Sequence, residues 1–174
     1  GVEQTALKFL KSDLIKVIMG IRRCGKSVLA HQLLEGKNYG YINFDDERFI
    51  GAKAPDLNAF FEVLKEINPD FKYLLLDEVQ NVEGWELFVN RLKRSGYNII
   101  VTGSNSKLLS KELATHLTGR HFGIYLYPFS FKEFLAFRGF SLKKDDFYIT
   151  EKRAAIKRSF EEYAVSGGLP EVFK

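Results

Sequence analysis

The chain has 174 residues, 45% of them apolar and 28% charged, enough for one globular domain with an appendage and a buried core. Its single cysteine excludes an internal disulfide and a cysteine-built zinc site, and no apolar run is long enough to span a bilayer. The net charge of +4 permits contact with nucleic acid or an acidic partner but demands neither, and without a signal peptide a reducing cytoplasm is the expected setting. In chain order, Thr5 to Leu10 reads as a short helix and Leu14 to Met19 as an apolar strand. Gly20-Ile21-Arg22-Arg23-Cys24-Gly25-Lys26-Ser27 follows, and Val28 to Leu34 then reads as a helix.

Tyr39 to Phe44 is predicted to be a second strand, rich in aromatic residues. Leu57 to Ile67 has apolar residues at helical spacing and stops before Pro69. Phe71 to Leu76 is a nearly continuous apolar run ending in Asp77-Glu78, the pattern of a strand covered on both faces. Gly84 to Ser95 reads as a helix, Asn98 to Thr102 as a strand, Lys107 to Thr118 as a helix and His121 to Leu126 as a fifth strand. Strands alternating with helices predict a doubly wound α/β sheet with right-handed crossovers. Ligands of such sheets sit at the carboxyl ends of the strands, where Gly20, Asp77 and Ser104 all fall.

Past Pro128 the pattern changes. Ser130 to Gly139 opens with a Ser-x-x-Glu capping box, Lys143 to Asp146 reads as a polar linker, and Thr150 to Val165 as a highly charged helix. The expected division is a core over residues 1–127 and a helical extension over 128–174. The chain begins with Gly1 and stops soon after Gly167-Gly168-Leu169-Pro170, which reads as a piece of something longer.

The loop carries the chemistry. Strand, G-x-x-x-x-G-K-S, helix is the context of a phosphate cradle, in which glycines let successive backbone N–H groups point inward. Gly20, Ile21, Arg22, Arg23, Cys24, Gly25, Lys26, Ser27 and Val28 form the expected nucleotide-binding set. The following helix adds its positive end. Lys26 can reach the β- and γ-phosphates, and Ser27 can offer a hydroxyl to Mg²⁺. Asp77, at a strand end, can hold Mg²⁺ through its water shell, with Glu78 beside it to accept a proton from water or align it. Gln80 is either an aid to that water or a solvated residue.

Ser104 and Asn105 are candidates for sensing the γ-phosphate or the lytic water, against the alternative of plain turn residues. Arg120, before the fifth strand, is either an arginine finger for a neighbouring subunit or a cation at a helix end. The side chains of Arg22 and Arg23 are expected to face solvent or a partner. Asp45, Asp46 and Arg48 are expected to form a local ion network rather than to touch the metal's water shell, and His31, His116 and His121 to be structural. The basic residues after Lys152 share their helix with Glu151, Glu161 and Glu162, so a nucleic-acid partner is possible but unsupported.

Taken together, Gly-Ile-Arg-Arg-Cys-Gly-Lys-Ser, Leu-Leu-Leu-Asp-Glu-Val-Gln, Val-Thr-Gly-Ser-Asn-Ser, Leu-Thr-Gly-Arg, Tyr-Pro-Phe-Ser-Phe-Lys-Glu-Phe and Gly-Gly-Leu-Pro-Glu-Val occur in that order. This resembles the prokaryotic AAA-type ATPases of the AAA_14 group that carry a DUF4143 C-terminal domain. The resemblance implies a five-stranded parallel sheet of order 5-1-4-3-2, binding of ATP with Mg²⁺, ATP hydrolysis, and a nuclease-like domain beyond Lys174; a homo-oligomer is a further possible partner state. By position it gives Lys26 for phosphate, Ser27 and Asp77 for Mg²⁺, Glu78 as base, Ser104 or Asn105 as sensor and Arg120 as finger. Its second sensor has no identifiable counterpart here. Two other readings stand beside an ATPase that moves an attached domain. One is a nucleotide-gated binding or scaffold domain with little turnover, and the other a P-loop small-molecule kinase. A GTPase is disfavoured, since neither N-K-x-D nor D-x-x-G is present.

Overall fold

The computed structural model describes residues 8–104, 117 and 119–173. Its chain falls into two compact units, residues 1–21 with 26–126, and residues 22–25 with 127–174.

The first unit is built on five strands, β1 (Ile15–Gly20), β2 (Tyr39–Asn43), β3 (Tyr73–Asp77), β4 (Asn98–Gly103) and β5 (His121–Leu126). All pair in parallel, in the order β2-β3-β4-β1-β5, which is the expected 5-1-4-3-2 read from the other edge. Leu74, Leu75 and Leu76 are all fully buried, as a strand covered on both faces requires. Successive side chains of a strand point to opposite faces, so the run splits. Leu74 and Leu76 join Val17, Val101 and Phe44 in one core, and Leu75 joins Ile18 and Ile100 in the other.

Helices α1 (Lys26–Leu33), α2 (Ala54–Ile67) and α3 (Trp85–Arg94) follow β1, β2 and β3. Helix α3 buries Trp85, Phe88, Val89 and Leu92, the i, i+3, i+4, i+7 stripe of an amphipathic helix. Each such side chain contributes about 1.5–3 kcal/mol by leaving water. Leu57 of α2 packs in the same core, with Phe60, Phe61 and Leu64 one and two turns on. Helix α2 starts three residues before the predicted Leu57, because Pro55 is suited to a first helical turn and Asp56 caps it by accepting from the Lys53 N–H at 2.9 Å. On the opposite face, Ala30 of α1 and Leu34 pack with Phe9, which lies in a helical turn at residues 8–11. The helix expected over Lys107 to Thr118 falls almost wholly outside the described residues.

The second unit contains α4 (Phe131–Phe137) and α5 (Thr150–Ser166). The expected capping box is formed: Ser130 N–H donates to Glu133 Oε2 at 2.8 Å, and Glu133 N–H donates to Ser130 Oγ at 3.3 Å. Phe131 and Phe134 of α4 meet Tyr163 of α5 at ring separations of 5.4 and 5.6 Å. The stretch predicted as a polar linker is instead ordered into a 3₁₀ turn, Lys144–Tyr148. The cause is Asp146, whose buried carboxylate accepts from Lys143 N–H at 2.8 Å and Lys152 Nζ at 2.5 Å.

Candidate nucleotide site

β1 ends at Gly20 and the chain turns through the loop into α1, which begins at Lys26. Two loop residues adopt left-handed backbone, Gly25 at φ 94° and Arg23 at φ 69°. Glycine does so freely, whereas an arginine there costs on the order of 1 kcal/mol. The first N–H groups of α1 have no partner within the helix, and its first turn carries no acidic residue. That end therefore keeps its positive potential for an anion.

Lys26 is buried, and its ammonium is held on two sides. It donates to Ile21 O at 3.2 Å and lies 3.1 Å from Glu78 Oε1. Glu78 leaves the end of β3 in left-handed conformation, at φ 52°. Its second oxygen, Oε2, accepts from Gln80 Nε2 at 2.7 Å and from the Ser104 N–H at 3.1 Å. Burial raises the Glu78 carboxyl, but the hydrogen bonds from Gln80 and Ser104 and the charge of Lys26 outweigh it, so the group sits below its ordinary value.

Asp77, the last residue of β3, is buried beside it. The Thr102 hydroxyl donates to Asp77 Oδ1 and accepts from the Glu78 N–H at 3.0 Å, so one side chain of β4 fixes both acidic residues. Tyr41 of β2 donates to Asp77 Oδ2 at 3.4 Å. Its phenol is pushed up to about 12 by burial and by the Asp77 charge.

The structure thus gathers Lys26, Asp77, Glu78, Gln80 and Ser104 at the carboxyl edge of the sheet, with Ser27 next to Lys26 at the start of α1. Asn105 lies outside the described residues, and so does His116. Arg120 does not join the group. Its carbonyl accepts from Ile15 N–H at 3.0 Å, which puts it at the amino edge. That is on the order of 17 Å along β1 from Gly20 at 3.3 Å per residue. Any finger role for Arg120 therefore concerns another molecule's site. Cys24 is buried. Of the expected local ion network, Asp46 and Arg48 pair with each other through Nη2–Oδ2 at 2.7 Å, while the Asp45 N–H donates to Asn43 Oδ1 at 3.0 Å. His31 Nδ1 meets Tyr39 Oη at 2.9 Å, and His121 Nδ1 meets Leu117 O at 3.0 Å.

Thr102 and Tyr41 are the residues that sequence reasoning missed. A signal existed for Thr102, a hydroxyl closing the otherwise apolar run Ile99-Ile100-Val101 on the strand beside Asp77. Among the described residues no group of three or more His, Cys, Asp or Glu is placed to hold a metal ion. The hydroxyl of Ser27 and the carboxylate of Asp77 are the hard oxygen donors that Mg²⁺ accepts while keeping most of its waters.

A family model described as an AAA domain, AAA_14, matches residues 12–135. This chain belongs to the AAA_14 family. It is an AAA-type P-loop NTPase domain. Relatives of the AAA_14 chain include an uncharacterised protein of Methanocaldococcus jannaschii, 43% identical over 91% of this chain and 36% of that protein. Another, from Haemophilus influenzae, is 38% identical over 97% of this chain and 42% of its own length. The chain therefore spans well under half of these relatives. Two solved structures share the fold at low identity. The ORC2 protein of Aeropyrum pernix, described as ADPNP–ADP complexes, gives a TM-score of 0.52 at 16% identity, over 76% of this chain and 46% of that one. A signal-transduction ATPase with numerous domains and a tetratricopeptide repeat sensor, from Pyrococcus horikoshii, gives 0.54 at 14% identity, over 98% and 28%.

Proposed function

We propose that this domain binds ATP with Mg²⁺ in the loop after β1 and hydrolyses the terminal anhydride. The observation that supports this most is the meeting of Lys26, from the loop, with Glu78, from the end of β3, at 3.1 Å. A buried ammonium and a carboxylate one residue after Asp77 are the charges that a triphosphate and its attacking water need. Orphaned chemistry beside them fits too. Gln80 Oε1 is buried with no hydrogen-bond partner among the described residues, an acceptor in position for a water.

In this reading the phosphate oxygens take over the Lys26 ammonium, and Glu78 is released to accept a proton from water or to orient it. The loop N–H groups and the first turn of α1 surround the β- and γ-phosphates. Ser27 and Asp77 would hold the Mg²⁺, which would supply neutralisation of phosphate charge. Thr102 and Tyr41 fix the Asp77 oxygens, and Ser104 fixes Glu78 through its backbone N–H. Turnover then drives a conformational change in an attached domain or partner.

A second reading has its own support. Since Glu78 is held by Lys26, Gln80 and the Ser104 N–H together, a domain that loads ATP and turns it over slowly is also consistent with this site. Phosphate release with excess ATP and Mg²⁺ separates the two. Steady turnover that EDTA abolishes supports the hydrolase, whereas tight binding without multiple turnovers supports the gated binding domain.

A further inference from the structure

Arg23 and the Gly-Gly-Leu-Pro-Glu turn are left unused by this mechanism, and both lie in the second compact unit. Arg23 Nε lies 3.6 Å from Glu171 Oε2, in the 3₁₀ turn Pro170–Phe173. Both side chains are more than half exposed, so each can swing away at small cost. The turn that delivers Glu171 is rigidly tied. Gly167 caps α5 in left-handed conformation, at φ 66°, and Gly168 follows at φ 70°. Phe129 N–H donates to Gly168 O at 2.8 Å, and Tyr163 Oη donates to Phe129 O at 2.7 Å. A Cβ on Gly168 would stand 2.4 Å from Phe129 O, so only glycine fits. A flexible cation inside the phosphate loop is thus met by an anion on a turn with one geometry.

Resting on the nucleotide reading above, we infer that Arg23 is a second phosphate-binding cation, held in reserve by Glu171. A triphosphate in the loop competes with the Glu171 carboxylate for the guanidinium, because Arg can bind phosphate through two parallel N–H donors where Glu171 makes one long contact. Loading therefore exchanges carboxylate for phosphate and frees the Glu171 side chain, while ADP, lacking the third phosphate, leaves the pair closed. By reciprocity, anything that pulls Glu171 away tightens ATP binding by the same factor. Exposed ion pairs are weak, so the factor is about two to five.

The test is calorimetric affinity for a non-hydrolysable ATP analogue and for ADP, with Mg²⁺, in the parent, Glu171→Gln, Arg23→Gln and the double variant. Glu171→Gln is expected to bind the analogue about two- to fivefold more tightly with ADP unchanged. Arg23→Gln is expected to lose that preference. The double variant should match Arg23→Gln, because Glu171 acts only through Arg23. If Glu171→Gln shifts affinity equally with and without Arg23, or shifts both nucleotides alike, the reserve role is overturned. A parent chain that binds neither nucleotide, and behaves like Lys26→Ala, overturns the nucleotide reading itself and this inference with it.

Discussion

The Lys26 ammonium rests 3.1 Å from the Glu78 carboxylate, so the loop cation and the acid after β3 neutralise each other before any phosphate arrives. Breaking a buried pair by removing one partner is costly, whereas exchanging the partner for another anion is not. In the proposed function this arrangement is the resting state that a triphosphate would replace.

Glu78→Gln follows directly. In the proposed mechanism it removes the proton acceptor and one competitor for Lys26. Phosphate release is expected to fall by about 100-fold or more, with ATP binding equal or tighter. Unchanged hydrolysis would remove Glu78 from the reaction.

Thr102→Val tests the bridge between the two acids. The swap keeps the shape and deletes the hydroxyl that serves Asp77 Oδ1 and the Glu78 N–H. Losing these buried partners is expected to cost about 1–3 kcal/mol in urea denaturation, with Thr102→Ser retaining most of the stability. Equal midpoints for Val and parent would show that the hydroxyl carries no weight.

Lys16 gives a pH dependence. It is fully buried in β1, with Asn98 Oδ1 at 3.5 Å and with Lys93 and Asp13 nearby. Burial first, and then the Lys93 charge, lower it to about 8 against a smaller opposing effect of Asp13. The unfolded lysine keeps its proton to about 10.5, so between about 8 and 10.5 the unfolded chain binds more protons. Stability attributable to this group should rise with pH across that window and carry its full penalty below it. Lys16→Met is expected to be about 1–2 kcal/mol more stable at pH 7 and to lose that rise, read as the difference between the two urea curves.

Gly168→Ala tests the packed turn. With Phe129 O at 2.4 Å from the new Cβ and φ at 70°, either the turn or the Phe129 backbone must move. Protection of the Phe129 amide, which donates to Gly168 O, is expected to fall by tenfold or more in hydrogen exchange. Parent-like protection would mean that the turn accepts a side chain.

The fold and the loop were legible because their signals are local. An apolar run such as Leu74-Leu75-Leu76 needs no distant information to declare a buried strand, and the loop spacing is a property of eight consecutive residues. The sheet order came from resemblance rather than periodicity. What escaped was lateral: Thr102 and Tyr41 reach Asp77 from strands 25 and 36 residues away in sequence, and only the register brings them beside it. Arg120 lies before β5, at the edge away from this chain's loop, so the expected finger role would concern a neighbouring subunit's nucleotide. Lys143 to Asp146 looked like a linker because charge dominates it, while the buried Asp146 carboxylate organises a turn there.

Titration calorimetry of ATP with Mg²⁺ into the parent and into Lys26→Ala, each confirmed folded by circular dichroism, tests the central claim most directly. The account predicts saturable binding of one nucleotide per chain, weakened by about 30-fold or more in Lys26→Ala. No heat from the folded parent, or equal affinity in the two proteins, would contradict it.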